Sequence, residues 1–165
     1  APAPPAAGSA SGATPLSIAA GSGAVGLVEL LLQAGADCEL VDERGLTPLL
    51  AAAREGRLDA CAALLAARAD ANAQEPESQK TALVLAAGAS HLEVCRALLG
   101  ARAEVDTRAA TGATALHGAA ANGHEEVCRV LLAGGAAAGS AGPGGQDAAS
   151  LAAAAGHATL VELLQ

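Results

Sequence analysis

Residues 47–56 read Thr47-Pro48-Leu49-Leu50-Ala51-Ala52-Ala53-Arg54-Glu55-Gly56, and each side chain has a place in a short helix. The threonine hydroxyl is an N-cap, able to accept a hydrogen bond from a free N–H of the first turn. Proline follows at the first helical position, where its missing N–H is no loss and its fixed φ suits the helix. Leucine and alanine are strong helix formers and fall together on one side for about two turns. Gly56 permits the left-handed conformation that stops a helix.

The same signal returns outward in both directions. Its opening threonines are Thr14, Thr47, Thr81 and Thr114, spaced by 33, 34 and 33 residues, and an eroded copy opens at Asp147 another 33 on. An alanine pair recurs in register as Ala19-Ala20, Ala52-Ala53, Ala86-Ala87, Ala119-Ala120 and Ala152-Ala153. Gly23, Gly56, Gly123 and Gly156 follow, with Ser90 in the third copy. A leucine pair closes four copies, at Leu31-Leu32, Leu64-Leu65, Leu98-Leu99 and Leu131-Leu132. Chance does not repeat one register five times. Between glycine and leucine pair lies a second helix with apolar residues at helical spacing, as in Val94, Leu98 and Leu99. It ends near Gly35, Arg68, Arg102 or Gly135, and Glu93/Arg96 and Glu125/Arg129 suit its solvated face. The connecting loops, Asp37–Leu46, Asp70–Lys80, Glu104–Ala113 and Ala137–Gln146, hold turn formers. The extra residue of the third copy falls near Glu75-Pro76, where an insertion is tolerated.

Composition agrees with thin helical layers. Hydrophobic residues make up 52% of the chain, yet Phe, Trp, Tyr and Met are absent, so the core rests on Ala and Leu. A net charge of −8, with 17 acidic and 9 basic residues, leaves no basic cluster for phosphate and no aromatic for base stacking, which excludes nucleic acid as a partner. The same deficit argues against a membrane surface. Ala1 to Val28 is uncharged, but its prolines and glycines interrupt any spanning run, and it lacks a signal peptide's basic opening. The first residue is not Met, so the chain reads as an excised or incomplete piece. Residues 1–8, with Pro2, Pro4 and Pro5, read as a flexible linker, or equally a short docking tail with little to anchor it.

These residues resemble the ankyrin repeat, whose period is about 33 and whose signature is T-P-L-H-x-A. The signature stands here as Thr14-Pro15-Leu16-Ser17-Ile18-Ala19, Thr47-Pro48-Leu49-Leu50-Ala51-Ala52, Thr81-Ala82-Leu83-Val84-Leu85-Ala86 and Thr114-Ala115-Leu116-His117-Gly118-Ala119. The family's G-A-D ending appears as Gly35-Ala36-Asp37 and, weakened, as Ala69-Asp70 and Ala103-Glu104. The fifth copy, Asp147-Ala148-Ala149-Ser150-Leu151-Ala152, has lost the Thr-Pro-Leu opening. It is either a degenerate cap or the point from which the array continues. With the loose Gly139–Gly145 loop before it, it is expected to be the least stable.

The resemblance implies an all-α solenoid of stacked helix–turn–helix units with hairpin-like finger loops, in one domain over 9–165. Its repeats run about 9–41, 42–75, 76–108, 109–141 and 142–165. It implies recognition of a protein partner on the concave surface of the fingers and first helices, by a monomeric array that needs no cofactor and catalyses nothing. Carried over by register, the exposed contact positions are Glu43, Arg44, Leu46, Arg54 and Glu55, then Glu77, Ser78 and Lys80, then Arg108, Thr111 and Asn122. Two other roles stay open: recruiting substrates for an attached catalytic unit such as a ubiquitin ligase or kinase, or serving as a spacer in a longer array.

Other chemistry has weak claims. Cys61, Cys95 and Cys128 share one repeat position. Stacked helices sit roughly 8–10 Å apart, beyond the ~4.4–6.8 Å a disulfide needs, and there is no C-x-x-C for zinc. They read as small buried residues. Unpaired thiols, with Cys38 in a finger, place the chain inside the cell, in the cytoplasm or the nucleus. His91, His124 and His157 share another position, where a histidine helps order the turn in ankyrin-like repeats, and His117 is placed to link neighbouring repeats. Gly21-Ser22-Gly23-Ala24-Val25-Gly26 matches G-x-G-x-x-G but follows a helix, where a dinucleotide fingerprint follows a strand.

Overall fold

Each expected opening residue caps a helix. The computed structural model describes residues 12–165; the linker expected at 1–8 lies outside them. The first helices of the five copies are α1 (Pro15–Ser22), α3 (Pro48–Arg54), α5 (Ala82–Gly88), α7 (Ala115–Ala121) and α9 (Ala148–Ala154). The second helices are α2 (Val25–Gln33), α4 (Leu58–Ala66), α6 (Leu92–Gly100), α8 (Glu125–Ala133) and α10 (Ala158–Leu164). The Thr14, Thr47 and Thr81 hydroxyls accept from the N–H of Ser17, Leu50 and Val84 at 3.0, 3.3 and 3.3 Å. In the fifth copy the Asp147 carboxylate accepts from Ser150 N–H at 2.8 Å. The lost Thr-Pro-Leu opening thus keeps its cap, since aspartate serves at this position as well as a hydroxyl does.

The first helices form one row, each packed on the next, and α2, α4, α6 and α8 form a second row behind them. The alanine pairs explain the tight inner row. Ala19-Ala20, Ala52-Ala53, Ala86-Ala87 and Ala119-Ala120 are all buried, because a methyl side chain lets neighbouring helices approach closely. Leucines fill the wider layer between the rows, with Leu64, Leu98 and Leu131 fully enclosed. Burying one such side chain is worth roughly 1.5–3 kcal/mol. The resulting core is continuous from Leu16 to Leu164. At its far end α10 packs mainly on α9, so the fifth copy carries the thinnest share of it.

The loops project as fingers closed by backbone bonds: Asp42 N–H to Leu46, Glu75 to Lys80, Ala109 to Ala113 and Gly142 to Gln146, at 2.7–3.0 Å. Only an isolated bridge between Gln74 and Thr81 has strand-like pairing among the described residues. The Gly139–Gly145 loop is tied in more firmly than its glycines suggest. Besides the Gly142–Gln146 bond, its Ser140 carbonyl accepts from His117 Nε2 at 2.9 Å. The His117 ring packs against Gly142, leaving no room there for a Cβ.

Candidate functional site

Successive copies present equivalent side chains along the row of first helices. Four residues after each opening position stand Ile18, Ala51, Leu85, Gly118 and Leu151. Three and four residues further along the helices come Gly21-Ser22, Arg54-Glu55, Gly88-Ala89, Ala121-Asn122 and Ala154-Ala155. Charge on these helix positions is therefore confined to the second copy, where Arg54 and Glu55 pair at 3.7 Å while each stays about half exposed.

Between the first two copies the face dips. Ala13, Ser17, Ile18, Gly21, Arg44, Leu46, Ala51, Arg54 and Glu55 line a shallow depression of about 250 Å³, below the ~300–1,000 Å³ usual for small-molecule sites. Ile18 is 58% exposed beside it, an apolar side chain offered to solvent on this face. Four residues expected from register, Arg44, Leu46, Arg54 and Glu55, meet here. Leu46 corrects the expectation of exposure. It is only 2% exposed and belongs to the core, because it directly precedes the buried cap Thr47, so that its side chain follows the cap inward as part of the depression's floor.

The finger above holds a buried acid that the repeat signature does not mark. Asp42 is buried, and its carboxylate accepts from the N–H groups of Arg44 and Leu46 at 2.9 Å each. The Arg44 guanidinium adds Nε and a terminal nitrogen at 3.2 and 3.1 Å. Burial alone pushes this carboxyl up. The bonds from Leu46 and Arg44 outweigh it and hold the group below the usual aspartate value. Arg44 is thereby fixed at the rim with its outer side in solvent, and Glu43 beside it is exposed. The signal was present as an aspartate two and four residues before the N–H groups it serves, the pattern of an Asx turn.

The remaining expected positions divide. Glu77 and Thr111 are exposed and Lys80 half-buried on the next two fingers. Arg108 and Asn122 are exposed and Ser78 half-buried, and all three also hydrogen-bond to neighbouring segments. The Ser78 carbonyl accepts from Ala110 N–H at 2.8 Å, and its hydroxyl donates to Glu75. Arg108 donates to the carbonyls of Gly112 and Ala141, joining two fingers, and Asn122 donates to the Gly88 carbonyl at 2.9 Å.

The histidines reach further than their own turns. His91 Nε2 meets the Arg54 carbonyl at 3.2 Å and His124 Nε2 the Gly88 carbonyl at 3.0 Å, each in the preceding copy. Arg57 stands at the same register position and donates through Nε to Gly21 at 3.0 Å. A Cβ on Gly56 would lie 2.5 Å from the His91 ring, so this glycine serves both a left-handed turn and the ring of the next copy. His117 bonds within its own copy, Nδ1 accepting from Thr114 N–H at 3.2 Å and Nε2 donating to the Ser140 carbonyl, and reaches the fifth copy by packing its ring on Gly142.

Cys61, Cys95 and Cys128 are unpaired and buried. Burial pushes the first two thiols up to about 12 and, with Glu125 nearby, the third to about 11, which suppresses the reactive thiolate. Cys38 is half-buried in its finger, and its pKa is raised by burial and by Glu39. Gly21–Gly26 spans the turn between α1 and α2, as a helix end and not a nucleotide loop. No cluster of three His, Cys, Asp or Glu side chains among the described residues is arranged for a metal ion. No helix among them is long and apolar enough to cross a membrane. A family model described as "Ankyrin repeats (3 copies)" matches residues 4–75 and 83–165. With the period, the caps, the two helical rows and the fingers in place, the chain belongs to the ankyrin-repeat family, whose members are generally protein–protein interaction modules.

Proposed function

We propose that the chain binds a protein partner on its concave finger and first-helix surface, centred where the first two copies meet. The observation that carries this reading is Ile18, more than half exposed beside a depression rimmed by Arg44, Arg54 and Glu55. A solvated apolar anchor ringed by polar groups is the pattern of an interaction hot spot. Glu43 extends the surface along the first finger, and Glu77, Lys80 and Thr111 extend it onto the next two. Ser78, Arg108 and Asn122 support the fingers and the stack. The unpaired thiols favour an intracellular setting.

Peptides selected from a random display library against the whole chain test the assignment. Ile18→Ala and Arg54→Glu, both at exposed positions, should each weaken the selected peptides at least tenfold, about 1.4 kcal/mol. The peptides should also slow hydrogen exchange in α1, α3 and the first finger. Peptides that bind both variants as tightly as the parent chain, or that protect only the second helices, overturn the reading.

A further inference from the structure

On the binding face proposed above, which this reading presupposes, we infer that Arg44 is a fork for a carboxylate of the partner. The segment bound between the first two copies is then an acidic peptide with an apolar residue beside its acid. A guanidinium carries its N–H donors in a rigid, planar fork that matches a carboxylate. In Asp42 both oxygens are taken: Oδ1 accepts from the N–H groups of Arg44 and Leu46, and Oδ2 from Arg44 Nε and one terminal nitrogen. Only 1% of the Asp42 side chain is exposed, against 57% of the Arg44 side chain. The other terminal nitrogen of Arg44 has no partner among the described residues. With the outer hydrogen of its neighbour it forms an end-on edge that a second carboxylate can meet with both oxygens at once.

The turn itself does not call for this arginine. Two later fingers close with the same backbone bond, Ala109 N–H to Ala113 and Gly142 N–H to Gln146. They have no acid at the place of Asp42, and Thr111 and Gly144 stand where Arg44 does. The other side-chain ion pairs among the described residues join Arg54, Arg96 and Arg129 to acids that are each at least 37% exposed. Such surface pairs hold their partners weakly. Arg44 alone is gripped by a buried anion, and its long side chain is therefore ordered before a partner arrives. An ordered fork loses less freedom on binding than a mobile one.

What lies beside the fork fixes the rest of the ligand. Arg44 and Arg54 both line the depression between the first two copies, whose floor holds the buried Leu46 and Ala51. Two cations over an apolar floor complement a carboxylate next to an apolar side chain. A single carboxylate suits the place better than a phosphate dianion, because Glu43 and Glu55 are exposed next to the two arginines in the chain and repel additional negative charge.

Peptides selected against the whole chain from two display libraries, one random and one built without Asp or Glu, test this. Random-library peptides that slow hydrogen exchange in α3 and the first finger should carry an acid next to an apolar residue. Replacing that acid by its amide should weaken them about tenfold, and the acid-free library should give nothing as tight at this face. Arg44→Lys keeps the charge and removes the fork. It should weaken the acidic peptide about as much and leave its amide form unchanged. Asp42→Asn keeps an acceptor for the turn but turns N–H groups toward the guanidinium, and should show the same selective loss. A finger that had merely come undone would weaken both forms alike. Peptides that bind this face without preference for an acid, that need a phosphate, or whose acid and amide forms lose equally in both variants overturn the carboxylate fork and leave the face standing. Peptides that protect only the second helices overturn the face and the fork together.

Discussion

Replacing Arg68 and Arg102 by glycine should make the protein more stable. Both arginines end a second helix with positive φ, 66° and 63°, at the repeat position that Gly35 and Gly135 hold at 83° and 91°. The bonds require that conformation. Arg68 N–H donates to Leu65 and Ala69 N–H to Leu64, and Arg102 and Ala103 donate to Leu99 and Leu98 in the same pattern, a Schellman closure with a left-handed residue at its centre. A side chain there costs roughly 1–2 kcal/mol from the clash of Cβ with the following carbonyl. Glycine removes the clash and returns about 0.5–1 kcal/mol through the greater freedom of its unfolded chain. The net gain is about 0.5–1 kcal/mol per site. Because the sites lie in different repeats the gains should nearly add, and at about 2–4 °C per kcal/mol for a chain of this size the double variant should melt a few degrees higher. Urea unfolding followed by circular dichroism measures it, with an unchanged slope showing that only stability moved. Arg68→Ala is the control, since it removes the same charge and keeps the clash. A double glycine variant no more stable than the parent, or an alanine as stabilising as glycine, refutes the strain argument.

Asp42→Asn should cost about 1–3 kcal/mol at neutral pH, because a charge-accepting oxygen is lost from a buried cluster of donors. The folded-state pKa of Asp42 is lowered, so its stabilisation is complete above the unfolded value near ~4 and is lost as pH falls through the folded one. Urea midpoints of parent and variant should therefore converge below about pH 4, and a constant gap down to pH 2 contradicts this. His117→Ala should cost about 2–4 kcal/mol by stranding Thr114 N–H and the Ser140 carbonyl. The damage should show as faster hydrogen exchange in α9 and α10, and a uniform change along the array counts against it. Native protein at pH 8 should expose one readily modified thiol of its four, Cys38, with Cys61, Cys95 and Cys128 reacting only as the chain unfolds; rapid labelling of two or more in the folded state contradicts their burial.

The period was legible because every repeat needs the same residue classes at the same places. A cap must be Thr or Asp, the inner row must be alanine, and the layer between the rows must be leucine. What stayed illegible was tertiary. Leu46 lies in a finger and looks like a surface residue, yet the chain turns inward at Thr47 and takes it along. Ile18 shares its register position with Ala51, Leu85, Gly118 and Leu151, so residue type does not mark its exposure. The targets of His91, His124 and Arg57 are carbonyl oxygens of the previous repeat, and a backbone acceptor leaves no mark in the sequence.

That dependence on backbone acceptors explains how stacking and binding coexist on a thin molecule. At the turn edge, Arg57, His91 and His124 reach the carbonyls of Gly21, Arg54 and Gly88. At the finger edge, Glu39, Asn72 and Asp106 accept from the N–H groups of Asp70, Glu104 and Ala137. Each of the first three joints is thus bordered on both sides by bonds in which only one partner spends its side chain. The receiving residue contributes main chain alone, which any residue supplies, so its side chain can change without loosening the joint. Arg54 is such a residue. Its carbonyl holds His91 and the third repeat, while its guanidinium, touching only exposed Glu55 in a pair worth about 0–1 kcal/mol at most, is left to face a partner.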